Sequence, residues 1–227
     1  METDVITIDG PTSSGKNSVG FLLAQKLGYQ YIDSGSIYRA GCIFILRNNI
    51  PLDDKQKIVN VFNNLKIDIK NDNGKFRVFV NGEDVTDFLH DGEVTKVVSD
   101  VSAIRQVREA TRPIQRRFAQ VKNTVMTGRD IGSEIFPEAK HKFYLTAETQ
   151  VRAKRRFDQL SQKDPNIKYE IVLEEMEARD KKDSEREVSP LRIPKDAIVI
   201  DNSYLTVEET VEQMLKHIKR NVIPRSP

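Results

Sequence analysis

A chain of 227 residues with a formal net charge of +2, 38% hydrophobic and 31% charged residues, can bury its own core and is neither a disordered tail nor a globally basic nucleic-acid binder. Its lone cysteine, Cys42, excludes an internal disulfide, and His90, His141 and His217 show no paired ligand spacing, so no zinc or iron centre is expected. No apolar run approaches the ~18 residues of a spanning helix and the N-terminus lacks a basic leader region, which predicts a cytoplasmic protein with no membrane partner.

Val5-Ile6-Thr7-Ile8 reads as a short buried strand. Gly10-Pro11-Thr12-Ser13-Ser14-Gly15-Lys16-Asn17-Ser18 follows it as a glycine-bounded loop, and an apolar-periodic segment begins at Val19. Such a loop turns successive backbone N–H groups inward around anionic oxygens, and the next helix adds its unpaired amides and positive dipole end. Lys16 is then a solvent-facing cation that reaches the outer phosphates. The G-x-x-x-x-G-K skeleton alone is moderately specific; its place between a strand and a helix sharpens it.

Val19, Leu22, Leu23 and Leu27 recur at helical spacing and Gly28 is placed to end that helix, after which 29–32 reads as a second strand. Residues 33–39, Asp33-Ser34-Gly35-Ser36-Ile37-Tyr38-Arg39, predict a small-residue turn entering another helix through about Leu46, with Arg39 as the cation of a second anion-ready loop. Both loops fall beyond the carboxyl ends of parallel strands, where open α/β sheets bind ligands.

Ile58, Val61, Phe62 and Leu65 suggest a short helix. Leu65, Ile67 and Ile69 then alternate, Asn71-Asp72-Asn73-Gly74 turns the chain, Phe76, Val78 and Val80 alternate again, and Asn81-Gly82 is a two-residue hairpin signal before Val85. The region 65–88 is therefore read as a small antiparallel β insertion projecting from an α/β core. Two helices follow, one carrying Val94, Val97, Val98 and Val101, the other Val107, Ile114, Phe118 and Val121. On the second, Arg105, Arg108, Arg112 and Arg116 form a stripe that reads for most members as a solvated face. Residues 124–127 form a strand leading into Gly128-Arg129-Asp130-Ile131-Gly132, a third glycine-bounded turn, and 142–146 is the next strand.

The helical segment 148–161 carries Arg152, Lys154, Arg155 and Arg156 and is interrupted at Asp164-Pro165-Asn166, the pattern of a mobile cover that brings guanidinium groups to a transferring phosphate. A helix from about Lys168 ends where Arg179, Asp183 and Arg186 can share one face. Residues 197–200 are the last strand, before Asp201-Asn202-Ser203. Val207, Val211, Met214, Leu215 and Ile218 mark a closing amphipathic helix, and 220–227 reads as a frayed tail.

A cradle with Lys16, two further turns with Arg39 and Arg129, and an Arg-rich cover are the equipment for phosphoryl transfer between two anionic substrates, a reaction that demands positioning and charge neutralisation more than covalent chemistry. The strings I-D-G-P-T-S-S-G-K near the N-terminus, D-S-G-S-I-Y-R at 33–39, V-R-E-A at 107–110, G-R-D-I-G at 128–132, F-P-E-A at 136–139, R-D-K-K-D-S-E-R-E-V-S-P-L at 179–191 and the late D-N-S resemble the bacterial cytidylate kinases, in order and over nearly the whole chain.

The resemblance implies an α/β fold: a P-loop kinase core with a parallel sheet flanked by helices, a small antiparallel β insertion and a short helical lid. It implies core segments at 1–62, 93–150 (with the nucleotide-binding helices) and 168–227, a β insertion at 63–92 and a lid at 151–167. The implied activity is ATP- and Mg²⁺-dependent conversion of CMP or dCMP to the diphosphate, by a monomer with no nucleic-acid partner. Carried over residue by residue, ATP phosphates fall on Gly10, Pro11, Thr12, Ser13, Ser14, Gly15, Lys16, Asn17 and Ser18, with Ser18 near Mg²⁺, directly or through water. The CMP phosphate falls near Ser34, Arg39 and Arg129, and cytosine near Ser99, Arg108, Asp130 and Arg186. The sugar falls near Arg179 and Asp183, and the lid cations are Arg152, Arg155 and Arg156. Lys16, Arg39, Arg129, Arg155 and Arg156 are the expected catalytic set. Ser13 stands where many members have Gly, Asn17 where Gly or Ser is commoner, Thr127 where an acidic residue often precedes G-R-D, and His90 where Arg is usual.

Other readings are a kinase for UMP or AMP, a P-loop RNA-binding protein, and a GTPase-type switch. The last needs D-x-x-G and usually N-K-x-D, and neither string occurs. RNA modules bring exposed aromatics for stacking, whereas the strand aromatics here alternate as core residues do.

Overall fold

The computed structural model describes residues 3–72, 74–162 and 164–222. In chain order its elements are β1 (Val5–Asp9), α1 (Lys16–Leu27), β2 (Gln30–Asp33), α2 (Ser34–Arg47), α3 (Lys55–Asn64), β3 (Ile67–Asp72), β4 (Lys75–Val80), β5 (Glu83–Asp84), α4 (Gly92–Ala103), α5 (Arg105–Val121), β6 (Thr124–Gly128), β7 (His141–Thr146), α6 (Thr149–Ser161), α7 (Tyr169–Glu185), β8 (Ile198–Asp201) and α8 (Val207–Val222). A five-residue π-type turn, Ile131–Ile135, follows β6.

Among the described residues, five parallel strands form one sheet in the order β2-β6-β1-β7-β8. The sheet is covered on both faces, which is why its strands read as apolar runs. Tyr31, Val125, Ile6 and Ile8 pack with Val19 and Leu23 of α1 and Val211 and Met214 of α8. Ile32 and Met126 face the opposite way, into a core with α2, α3, α4 and α5. In register, Asp9 lies beside Gly128 and Asp33 beside Thr127, so the loops after β1, β2 and β6 leave the sheet at one rim.

Several local expectations hold. Gly28 closes α1 through its N–H to the Ala24 and Gln25 carbonyls. Asn81 and Gly82, at φ 51° and 90°, form the β4–β5 hairpin turn, whose two positive φ values explain why Asn-Gly is found there. The antiparallel sheet runs β3-β4-β5. It does not stand away from the core: Ile67, Ile69, Val78 and Val80 are buried in the same cluster as α2. Asn71 closes the junction like an extra strand residue, its Oδ1 accepting from Tyr31 N at 2.9 Å and its Nδ2 donating to Tyr31 O at 3.0 Å.

Other boundaries move for local reasons. No separate turn precedes α2, because Asp33 accepts from Gly35 N at 2.9 Å and caps the helix at once. Helix α7 stops at Glu185, and Arg186 leaves it with φ −59° and ψ 140°, so Arg186 does not share a helical face with Arg179 and Asp183. Against the expected frayed tail from 220, α8 continues to Val222; 223–227 lie outside the described residues, as does Asn73 of the expected 71–74 turn.

Candidate active site

Gly10 opens the loop after β1 because nothing larger fits: a Cβ there would stand 2.1 Å from the Leu145 carbonyl oxygen. Ser13 is left-handed, with φ 58°, which gives a physical reason for glycine at that position in the family resembled. Lys16 begins α1 and folds back over the loop, its Nζ 2.6 Å from Pro11 O and 3.4 Å from Ser14 Oγ. It is 6% exposed, so the expectation of a solvent-facing lysine is corrected: the loop wraps it. Burial, and then the nearby Arg129 charge, pull its pKa well below that of a free lysine.

The rim loops enclose a cavity of about 380 Å³. Thr12, Ser13, Gly15, Lys16, Asn17 and Ser18 line it from the first loop, and Asp33, Ser34, Tyr38 and Arg39 from the start of α2. Arg129 and Asp130 enter from the turn after β6, Ser99 from α4, Arg108 from α5, and Arg179, Asp183 and Arg186 from α7 and its exit. Arg156 and Gln159 reach it from α6. Seven cationic side chains and three carboxylates therefore face one concavity.

The three carboxylates organise the cations. Asp183 accepts from Arg129 Nε at 2.8 Å; burial alone would raise its pKa, but Arg129, Arg179 and Arg186 together hold it below the usual carboxylate range. Arg129 also donates from Nη2 to Thr12 Oγ1 at 3.0 Å, tying the first loop to the third. Asp130 is paired with Arg108 and lies 3.8 Å from Arg186 Nη2. Asp33 takes Asn17 Nδ2 at 2.9 Å on one oxygen and Gly35 N on the other. Arg39 is the cation of the second loop, donating to Leu89 O at 3.0 Å and Thr95 Oγ1 at 3.1 Å. Thr127, out of pattern with the family resembled, meets another departure, Asn17: its Oγ1 is 3.0 Å from Tyr31 Oη and 3.4 Å from Asn17 Oδ1.

Some buried donors make no hydrogen bond: Arg179 Nε, Arg108 Nε and Arg186 Nη2. Burial, together with Arg129 and Arg39, pulls Arg179 down to about 10. Crowded guanidinium groups with spare donors at a concave, polar surface are a site for anions.

Two expected lid cations lie elsewhere. Arg152 is 7% exposed and donates to Ala147 O and Thr12 O, each at 3.0 Å, besides pairing with Asp180; it is a brace between α6 and the first loop. Arg155 donates to Asn202 Oδ1 at 3.0 Å and Asn202 O at 2.7 Å, outside the cavity lining. Asn202 in turn donates to Ser14 O at 2.9 Å. The stripe on α5 divides as its burial dictates: Arg108 is buried in the site, while Arg105, Arg112 and Arg116 pair with Glu187, Glu134 and Glu138 at the surface.

Sequence reasoning missed Asp9, whose fully buried carboxylate accepts two backbone amides of the turn after Asp130, and Asp180, which accepts from Thr12 N at 2.8 Å. Both stand inside motif strings, but their partners are 122 and 168 residues away, and no local pattern marks them. Among the described residues no group of three His, Cys, Asp or Glu could hold a metal ion, and no helix is long and apolar enough to cross a membrane.

A family model described as cytidylate kinase matches residues 6–220. A cytidylate kinase of Caldicellulosiruptor bescii is 45% identical over 211 residues, 93% of this chain and 93% of that one. Another, of Caldanaerobacter subterraneus subsp. tengcongensis, is 45% identical over 216 residues, 95% of each chain. Among solved structures, an uncharacterized protein from Eubacterium ventriosum resembles the fold with a TM-score of 0.50 at 12% identity, covering 96% of this chain and 99% of its own.

Proposed function

The chain belongs to the cytidylate kinase family, and from that premise we propose how its residues move a phosphoryl group from ATP to CMP or dCMP. The observation that carries the reading is that a glycine-bounded phosphate loop with Lys16 shares one cavity with six arginines, several with unspent donors.

The amides of the Gly10–Ser18 loop and Lys16 take the ATP phosphates, and Ser34, Arg39 and Arg129 take the CMP phosphate, so donor and acceptor meet where the β1, β2 and β6 loops converge. An acceptor phosphate is ionised at neutral pH and needs no side-chain base; the work of the site is to hold two anions together and neutralise charge in transfer. Arg156, on the cavity wall, supplies a guanidinium to that charge, and Arg179 and Asp183 take the sugar.

Mg²⁺ is a co-substrate ion carried with ATP, where it offsets phosphate charge. The residues fit it: Mg²⁺ keeps several waters and takes only one or two protein oxygens, and Ser18 and Asp33 both line the cavity, with Asp33 tied to Asn17, the neighbour of Ser18. We propose that the enzyme acts as a monomer in the cytoplasm on small-molecule substrates, without nucleic acid or membrane.

Base choice falls to Asp130, with Ser99, Arg108 and Arg186. Cytosine offers an amino group where uracil has a carbonyl, and a carboxylate accepts from the first and repels the second. A site built on such a bond can reject the wrong base by ~10⁴, and a wet pocket by less. In a coupled ADP-release assay over CMP, dCMP, UMP and AMP, kcat/KM should favour CMP over UMP by at least ~10²-fold, and Asp130→Ala should lose CMP activity far more than UMP activity. Equal use of UMP and CMP by the wild type would remove the base assignment.

A further inference from the structure

The turn Ile131–Ile135 has an aspartate at its N-cap that does not cap it. Asp130 sits at φ −145°, ψ 23°, and its side chain bonds none of the turn's own amides. An aspartate in that place ordinarily accepts from the amides two or three residues on, because the first N–H groups of a helical turn have no internal partner. Here the first two are satisfied from outside. Asp9 Oδ1 accepts from Ile131 N at 2.8 Å and Asp9 Oδ2 from Gly132 N at 2.7 Å.

Asp9 is the last residue of β1, immediately before Gly10 of the phosphate loop, and is 0% exposed. Its whole carboxylate is spent on the two amides. That leaves the Asp130 carboxylate to face Arg108, Arg186 and the cavity. Were the outside cap removed, the Asp130 side chain, at the N-cap of the turn, could turn to a vacated donor, and local side-chain to backbone bonds of this kind compete readily.

We infer that Asp9 is a positioning residue for base selection: it caps the turn in place of Asp130, so that the Asp130 carboxylate stays with the substrate's base, and it fixes the base-reading turn to the strand that carries the phosphate loop. The inference rests on the reading of Asp130 as the base contact. The isostere Asp9→Asn is the sharpest probe, because its amide oxygen can still accept one N–H while its NH₂ is set against the other. Burial pushes the Asp9 carboxyl up to about 7 against the pull of the two amides.

The test is a double-mutant cycle on specificity. Constants for CMP and UMP are measured for wild type, Asp9→Asn, Asp130→Ala and the double variant. Asp9→Asn should lower the CMP:UMP ratio by ~10-fold or more with KM for ATP within about twofold of wild type, and in the Asp130→Ala background it should change the ratio no further. A ratio unchanged in Asp9→Asn, even with both activities reduced alike, would mean a merely structural role and overturn the inference while the base reading stands. An unchanged ratio in Asp130→Ala would overturn both. If Asp9→Asn does not fold, amide hydrogen exchange in the wild type decides: Ile131 and Gly132 should be as protected as Met126 and Thr127 of β6, and exchange at the rate of an open turn would overturn the inference.

Discussion

Lys16 pays for its place in the loop: it is almost fully buried beside Arg129, and its charge is held there at a cost. Its folded pKa lies below the unfolded 10.5, so between the two values the unfolded chain binds the proton more tightly and stability rises with pH across that window. Lys16→Met removes both the penalty and the function. It should lower kcat by ~10³-fold or more, roughly 4 kcal/mol of lost charge neutralisation, while the Tm at pH 8 is no lower than wild type and depends less on pH from 8 to 10. Melting curves with a steady-state assay check this, and near-normal kcat would sink the phosphate-loop assignment. Ser13 argues in the other direction. Its φ of 58° costs an L-residue ~1–2 kcal/mol, part of which glycine would return as unfolded-chain entropy, so Ser13→Gly should gain at most about 1 kcal/mol.

Helix α6 separates three cations that the sequence grouped. Arg156 lines the cavity, Arg155 is held on the Asn202 backbone behind the phosphate loop, and Arg152 braces Thr12. Arg156→Gln should therefore lower kcat at saturating substrates by about 10- to 10²-fold, whereas Arg155→Gln should act more on KM for ATP through the Asn202 contact with Ser14 O. Saturation kinetics in both substrates separate these; a fall in kcat with Arg155→Gln equal to that with Arg156→Gln would return Arg155 to the reacting phosphates. The contrast also marks what a sequence can tell at this scale. Helical spacing found α6, glycine placement found the end of α1, and Asn81-Gly82 found the hairpin, because each is encoded within a few residues. Which of Arg152, Arg155 and Arg156 faces the cavity depends on Asp180 and Asn202, 28 and 47 residues away, and the local pattern carries no trace of them. The motif marks Arg186 but periodicity keeps it on the helix, whereas α7 ends at Glu185 and Arg186 Nε donates to Ser189 O at 2.7 Å.

At the scale of the whole molecule, the strand order is what brings distant motifs together. Periodicity names the strands, but only the pairing β2-β6-β1 sets Gly10, Ser34 and Arg129 at one rim and crowds the cations of these loops together. That crowding has a thermodynamic consequence. Arg179 is pulled down to about 10 by burial and by Arg129 and Arg39, so an anionic ligand relieves repulsion as it binds and stabilises the folded state alone. CMP at 100 times its Kd should add ~2.7 kcal/mol, and at ~2–4 °C per kcal/mol for a chain of this length the Tm should rise by about 5–11 °C. The chain has no tryptophan, so calorimetry or a dye is the readout. UMP at the same concentration should shift Tm less. Arg179→Met, which loses a crowded charge, should melt at or above the wild type without ligand and lose most of the CMP shift, whereas Lys16→Met, on the ATP side, should keep it. A CMP shift that survives Arg179→Met in full would remove Arg179 from the CMP contacts.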